Sequence, residues 1–301
     1  MRMKYGFTKI ELLVAVSLVA VLGALALPAG AKVRNGYERT SCQNNLRELG
    51  LALRLYAKEN PAGRFPYQQI VNCDGEIQAT SSMFNTSLMY PDYLSDWNVL
   101  LCPSGDVAGD ALARWDTPAA LSTASEFAGN GQVEPCEVTE SSYVYTAWAI
   151  SPNVIREQIR SVGDLLTLEE SVLALANAMR RTRNVDAAIR IADADWELDG
   201  VVGGVTEFPR LRNGIERFHI DEAKSIGGDE QSGSIIPLMW DAIGDRPQMF
   251  NHESSGANVL YLDGHVAFSH YEGPYGGEFP VNAGGLILHD PLRGANSRHP
   301  S

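Results

Sequence analysis

The longest apolar run in the chain lies at its start. Leu12 to Ala31 is twenty residues without a charge, and twenty helical residues span ~30 Å, the hydrocarbon thickness of a bilayer. The pattern then changes period without a break. No proline occurs from Val33 to Glu59, and Leu46, Leu49, Leu53 and Tyr56 recur at steps of three and four among Arg47, Glu48, Arg54 and Lys58. Such a stripe predicts the buried face of an amphipathic helix. Asn60-Pro61-Ala62-Gly63 ends it. A continuous helix from about Phe7 to Glu59 would be ~80 Å long.

Beyond it the pattern weakens. Residues 64–140 read as loops with short strands, rich in Gly, Ser, Asn and Asp. Ser141 to Tyr145 alternates as a strand would. Ser151-Pro152 offers a helix start, and helices are expected over 152–162 and 168–182, with a further turn or two from Asp186 to Ile191. Residues 208–220 favour no single state, and 227–233 is a loop. Gly203-Gly204 and Gly284-Gly285 read as isolated turn glycines. Asn258 to Phe268 places two β-rich runs around Asp263-Gly264, which predicts a hairpin closed by a type I′ turn. The fold class expected is α+β.

Charge divides the chain. Residues 1–58 hold nine Lys/Arg against three acids, a surplus of +6, so the remainder carries −19 of the net −13. An acidic remainder repels phosphates, so no nucleic-acid partner is expected. The four cysteines, Cys42, Cys73, Cys102 and Cys136, form no C-x-x-C motif. An even count beyond an apolar segment fits disulfides of an oxidising compartment, with three pairings open. Arg2 and Lys4 before the apolar run favour a cytoplasmic N-terminus, and Lys32 and Arg34 weaken that bias. An ordinary signal peptide would also be apolar here, and Ala29-Gly30-Ala31 offers it a cleavage site. It leaves unexplained Glu11, a carboxylate at the mouth of the run.

Gly6-Phe7-Thr8-Lys9-Ile10-Glu11-Leu12-Leu13-Val14 resembles the G-F-T-x-x-E-L-L-V processing site of prepilins, the type IV pilins and type II secretion pseudopilins. The resemblance implies cleavage between Gly6 and Phe7 by a prepilin peptidase and N-methylation of Phe7. It implies that the Glu11 carboxylate meets the N-terminal amine of a neighbouring subunit, an arrangement in which a buried charge is tolerable. Pro28 sits where many type IV pilins carry a helix-loosening proline. Cys42 to Leu53 resembles the C-x-x-N-L-x-x-L-G-x-A-L run of pseudopilin-like proteins, and Leu100-Leu101-Cys102-Pro103-Ser104 their C-P-S motif. On that resemblance Cys42 and Cys102 are candidates to pair, which leaves Cys73 with Cys136. His252, Asp263 and Gly264 resemble the prepilin-type processing-associated H-x9-D-G domain, with ten intervening residues here in place of nine.

The resemblance implies a pilin-like fold: a leader over 1–6, the transmembrane half of a long helix over 7–31 and its amphipathic half over 32–60. A globular domain over 61–290, built on an antiparallel sheet with inserted helices, and a flexible tail over 291–301 would follow. The chain would be a single-pass protein of the inner membrane with its domain periplasmic or extracellular. Its partners would be prepilin peptidase and other pilin or pseudopilin subunits. The alternatives are a prepilin-anchored surface binding protein and a periplasmic metal-dependent enzyme.

Candidate chemistry is sparse. His252, Asp263, His265, His270 and Asp241 offer N and O ligands. The Asp-Gly turn already accounts for Asp263, however, and His265 and His270 face opposite sides of a regular strand. Some pseudopilins bind calcium in acidic C-terminal loops, which makes Asp241, Asp245, Asp221, Asp229 and Glu230 candidates. They lack a compact ligand spacing, and a solvated acidic surface is the simpler reading. No nucleophile elbow, Walker loop or dinucleotide fingerprint occurs. No enzymatic activity and no cofactor are expected, calcium being the one ion with candidates.

Overall fold

The structure is a computed structural model that describes residues 8–78, 81–105, 109–117, 127, 129–138, 141–152, 162–215, 235–244, 250–252, 256–273 and 277–289. At 23, 25–32, 34, 35 and 162–164 it describes the backbone alone. Helix α1 runs Lys9–Glu59, 51 residues and so ~75 Å. It begins at Thr8, whose hydroxyl accepts the Glu11 N–H while the Glu11 carboxylate accepts the Thr8 N–H at 2.8 Å. This reciprocal cap satisfies two of the donors that a helix start leaves free. The T-x-x-E spacing was visible in the sequence.

Two halves of α1 have different surroundings. Ile10, Leu12, Leu13, Val14, Val16, Leu18, Val19, Val21 and Leu22 are exposed. Among the described residues no helix is long and apolar enough to cross a membrane. The expected span over 7–31 includes side chains outside those residues. From Cys42 onward one face is buried: Cys42, Leu46, Leu49 and Leu53 are all fully covered. Burying each leucine contributes roughly 2–3 kcal/mol. Helix and sheet meet closely at Gly50, where a Cβ would come within 2.8 Å of Leu260 Cδ1.

Four antiparallel strands form the sheet under that face, in the order β1-β4-β5-β6. They are β1 (Tyr143–Tyr145), β4 (Pro237–Asp241), β5 (Gly256–Tyr261) and β6 (Val266–His270). All residues of β1 and β4 are buried, so the alternation read at 141–145 does not mark a wet face. Short helix α2 (Ala111–Trp115) precedes β1.

Between β1 and β4 the chain forms α3 (Val162–Thr182), α4 (Val185–Ala192) and a separate hairpin of β2 (Trp196–Val202) and β3 (Val205–Phe208). Helix α3 starts six residues before the expected 168. Most of the expected helix over 152–162 lies outside the described residues, as does the loop over 227–233. Gly203 and Gly204 are the turn of the β2–β3 hairpin, both at positive φ (57° and 81°), with Val202 opposite Val205. They are turn glycines, as expected, and the turn joins two strands that the pattern did not predict. Gly284 and Gly285, also expected in a turn, lie instead inside α5 (Ala283–His289). A Cβ on Gly285 would sit 1.8 Å from the Pro280 carbonyl oxygen.

The β5–β6 hairpin forms at Asp263-Gly264, but with a different turn. Gly264 N donates to Tyr261 O at 2.8 Å and Tyr261 N to His265 O at 3.0 Å. Gly264 has φ +94°, and among the described residues the one non-glycine at positive φ is Arg183. This is a three-residue loop with glycine in the left-handed position, not the two-residue type I′ turn.

Arg210 is 1 % exposed. Its guanidinium donates to the carbonyls of Phe65 and Ala147 and pairs with Asp193, which also takes Arg64 at 2.7 Å. These contacts tie the segment after α1 to the end of β3.

Candidate functional site

Five chain segments meet beneath the point where α1 enters the domain. Cys42 comes from α1, Cys102 and Ser104 from the loop after the 3-10 turn Trp97–Leu100, Asp241 from the end of β4, His252 from the approach to β5, and Asn258 from β5. The structure joins Cys42 to Cys102 and Cys73 to Cys136 as disulfides. The first closes a 60-residue separation and ties the helix to the loop. Its loop is further held by Asn45, whose Nδ2 donates to Leu101 O at 3.0 Å and to the Tyr143 hydroxyl at 3.1 Å.

Asp241 is wholly buried, not part of a solvated acidic surface. Its Oδ2 accepts from Asn258 N at 2.7 Å and from Asn258 Nδ2 at 2.8 Å, and lies 3.0 Å from His252 Nε2. Asn258 Oδ1 in turn accepts from Gln43 Nε2 of α1 at 3.0 Å. Among the described residues Asp241 Oδ1 has no hydrogen-bond partner. The other ring nitrogen of His252, Nδ1, is 3.0 Å from Ser104 Oγ, and Nε2 is 3.9 Å from Cys102 Sγ. Burial, with Asp241 nearby, holds the Tyr143 phenol well above its ordinary range, so it stays a neutral hydroxyl.

Ser104, His252 and Asp241 therefore stand in one hydrogen-bonded row, the order of a serine-hydrolase relay. The surroundings do not complete one. Ser104 Oγ is 3.3 Å from the disulfide sulfur of Cys102, and the adjacent Gly105 N–H is engaged by Cys102 O at 3.0 Å, so it is not free to receive an oxyanion. A cleft of about 420 Å³ reaches Cys102 and is lined also by Ser41, Asn45, Asp96 and Asn98.

The residues of the H-x10-D-G pattern do not form one site. His252 turns to Asp241. Asp263 Oδ1 accepts from His265 N at 3.0 Å and lies 2.7 Å from His265 Nδ1, and Asp263 O accepts from Arg54 of α1. Gly264 is held by that same guanidinium, because a Cβ would meet Arg54 Nη1 at 1.8 Å. His270 packs edge-on to Phe268. Of the five candidate metal ligands, the structure brings together two separate pairs, buried His252 with Asp241 and more exposed His265 with Asp263, and His270 joins neither. Gly6, Phe7, Asp221, Asp229, Glu230 and Asp245 lie outside the described residues.

Sequence reasoning missed Ser104 and Asn258 as members of the cluster. Ser104 was visible as the end of the C-P-S motif, and Asn258 as the one polar residue heading the run Val259 to Leu262. No protein-family model, curated protein or solved structure matches the chain.

Proposed function

We propose that the chain is a prepilin-like subunit of a type IV pilus or type II secretion pseudopilus, cut between Gly6 and Phe7 and assembled through α1. The observation that supports this most is the division of that helix. One half is locked to the domain by Leu46, Leu49, Leu53 and the Cys42 disulfide, while the other carries a run of exposed large apolar side chains from Ile10 to Leu22. An apolar surface of that extent calls for a covering phase, either lipid or the same helix of neighbouring copies. Glu11 marks its start and, in this reading, neutralises the amine of Phe7 in an adjacent subunit once the leader is gone.

In this reading the N-terminus is cytoplasmic, the domain periplasmic or extracellular, and the work done is assembly, not catalysis. N-terminal mass spectrometry of the protein from its own membranes tests it. The expected mature chain starts at N-methyl-Phe7. A chain starting at Lys32 would identify an ordinary signal peptide and end the pilin reading.

A further inference from the structure

The sulfurs of Cys42 and Cys102, an imidazole nitrogen of His252 and a carboxylate oxygen of Asp241 all lie within 4.8 Å of one another, and all four residues are buried. A disulfide does not need an acid and an imidazole beside it. Two details show what these groups are arranged for. Asp241 Oδ2 accepts two hydrogen bonds from Asn258 and lies 3.0 Å from His252 Nε2, whereas Oδ1 has no hydrogen-bond partner among the described residues. A wholly buried carboxylate oxygen is unfavourable unless some state of the protein brings it a positive partner. His252 is held from behind, Nδ1 to Ser104 Oγ at 3.0 Å, with Nε2 turned toward Asp241, Asn258 Nδ2 at 3.1 Å and the sulfur of Cys102. That is how proteins orient a histidine toward a metal, through a hydrogen bond to the remote ring nitrogen.

We propose that before this disulfide forms, the chain holds one zinc-class divalent cation through the thiolates of Cys42 and Cys102, His252 Nε2 and the Asp241 carboxylate. Two sulfurs, one nitrogen and one oxygen suit a tetrahedral borderline-soft ion, with bonds of about 2.0–2.3 Å, and not calcium. Asn258 fixes the carboxylate through Oδ2, and Oδ1 is left without a hydrogen-bond partner among the described residues. His252 changes tautomer between the two states. With the cation bound, Nδ1–H donates to Ser104 and Nε2 gives its lone pair. With the disulfide formed, Nε2–H donates to Asp241 and Ser104 donates to Nδ1.

Oxidation exchanges the cation for the covalent bond. A disulfide of an oxidising thiol partner accepts two electrons from the two thiolates. Its S–S bond breaks, the Cys42–Cys102 bond forms, two thiolates leave on the oxidant, and the cation departs with its charge unchanged. Until then the cation holds α1 to the loop at the place the disulfide later takes. This inference stands apart from the proposed function, since it concerns the domain and not assembly.

The test uses the full chain in detergent with Cys73→Ser and Cys136→Ser, so that one thiol pair remains. Reduced anaerobically with a phosphine, it is titrated with Co²⁺. The expected result is one equivalent bound, with thiolate-to-cobalt charge-transfer bands and the intense d–d bands of a tetrahedral site. Zn²⁺ should displace it, and oxidised glutathione should release it in full. Ser104→Ala should weaken binding about 10- to 100-fold, and Asp241→Asn and His252→Gln at least as much. Cys102→Ser should weaken the charge-transfer band, and Cys42→Ser/Cys102→Ser, which leaves no thiolate, should abolish it. No uptake by the reduced chain overturns the proposal, as does affinity unchanged in all three of the Ser104, Asp241 and His252 variants. If reduction unfolds the chain, Zn²⁺ must restore its circular dichroism, and failure to do so overturns the proposal as well.

Discussion

His252 Nε2 and Asp241 Oδ2 face each other at 3.0 Å with the two side chains 4 % and 0 % exposed. Removing the Asp241 carboxylate leaves the buried Asn258 donors without their acceptor, at a cost of about 1–3 kcal/mol. Asp241→Ala should therefore lose about that much in urea-induced unfolding. Asp241→Asn should lose less, because its amide oxygen can still accept the Asn258 N–H. A loss under about 1 kcal/mol for the alanine variant would show that the pair adds little to the fold.

The disulfide beside it acts through the unfolded chain. Closing a loop of 60 residues removes enough unfolded-state freedom to stabilise the fold by about 4 kcal/mol. The double variant Cys42→Ser/Cys102→Ser should fall by roughly that amount in denaturant melts, with its far-UV spectrum preserved under native conditions. Equal stability would mean that the helix is held by its leucines alone.

Gly264 and Arg54 should be coupled. Gly264→Ala places a methyl group on the guanidinium and puts alanine at φ +94°, and left-handed strain alone is of order 1–3 kcal/mol. In an Arg54→Ala background the same change should cost measurably less, with only the backbone part remaining. A double-mutant cycle showing strict additivity would remove Arg54 as the reason for glycine there.

Glu137 is buried, and burial, with Glu134 beside it, pushes its carboxyl up from 4.5 to about 7. The folded state thus binds a proton that the unfolded state releases. That contribution is full below about 4.5 and is lost as pH rises toward about 7. Stability should decline across that window, and Glu137→Gln should flatten the decline. The check is a set of melts at half-unit pH steps for both proteins. A wild-type profile that rises through the window would contradict the assignment.

Thr8 and Glu11 separate two roles of one carboxylate. Glu11 caps its own helix through Thr8, and in the proposed filament it also meets a neighbour's amine. Thr8→Ala removes the cap, at about 1 kcal/mol of local helix stability, and should leave assembly largely intact. Glu11→Ala should still be processed but should fail to enter filaments. Equal assembly defects in the two variants, scored by shearing and immunoblotting, would place the role of Glu11 in capping.

What could be read from the sequence follows from range. The buried face of α1 and the β5–β6 hairpin are local patterns, a three-four step and an Asp-Gly between β-rich runs, and both elements form. The β2–β3 hairpin escaped because Asp199-Gly200 breaks the alternation of Trp196–Val202, so Gly203-Gly204 looked like a stray turn. Those two glycines take the positive-φ pair that had been expected at Asp263-Gly264. The Asp241–His252 contact depends on how β4 registers on β5, where the pairing is irregular between Pro237 and Met239. No spacing along the chain encodes that. Family resemblance pointed to His252 and Asp263 together, whereas the fold gives each a different partner.

Among the described residues, Cys42 is the first wholly buried one met along α1. Any tension applied to the free end of that helix thus reaches a covalent bond before it reaches Leu46, Leu49 or Leu53. The load passes into the loop at Cys102 and, through Asn45 and Tyr143, into the first strand of the sheet. The apolar contacts behind it are shielded from being peeled apart one at a time. Placed at this threshold, the bond makes the domain and the exposed part of the helix ahead of it a single mechanical body.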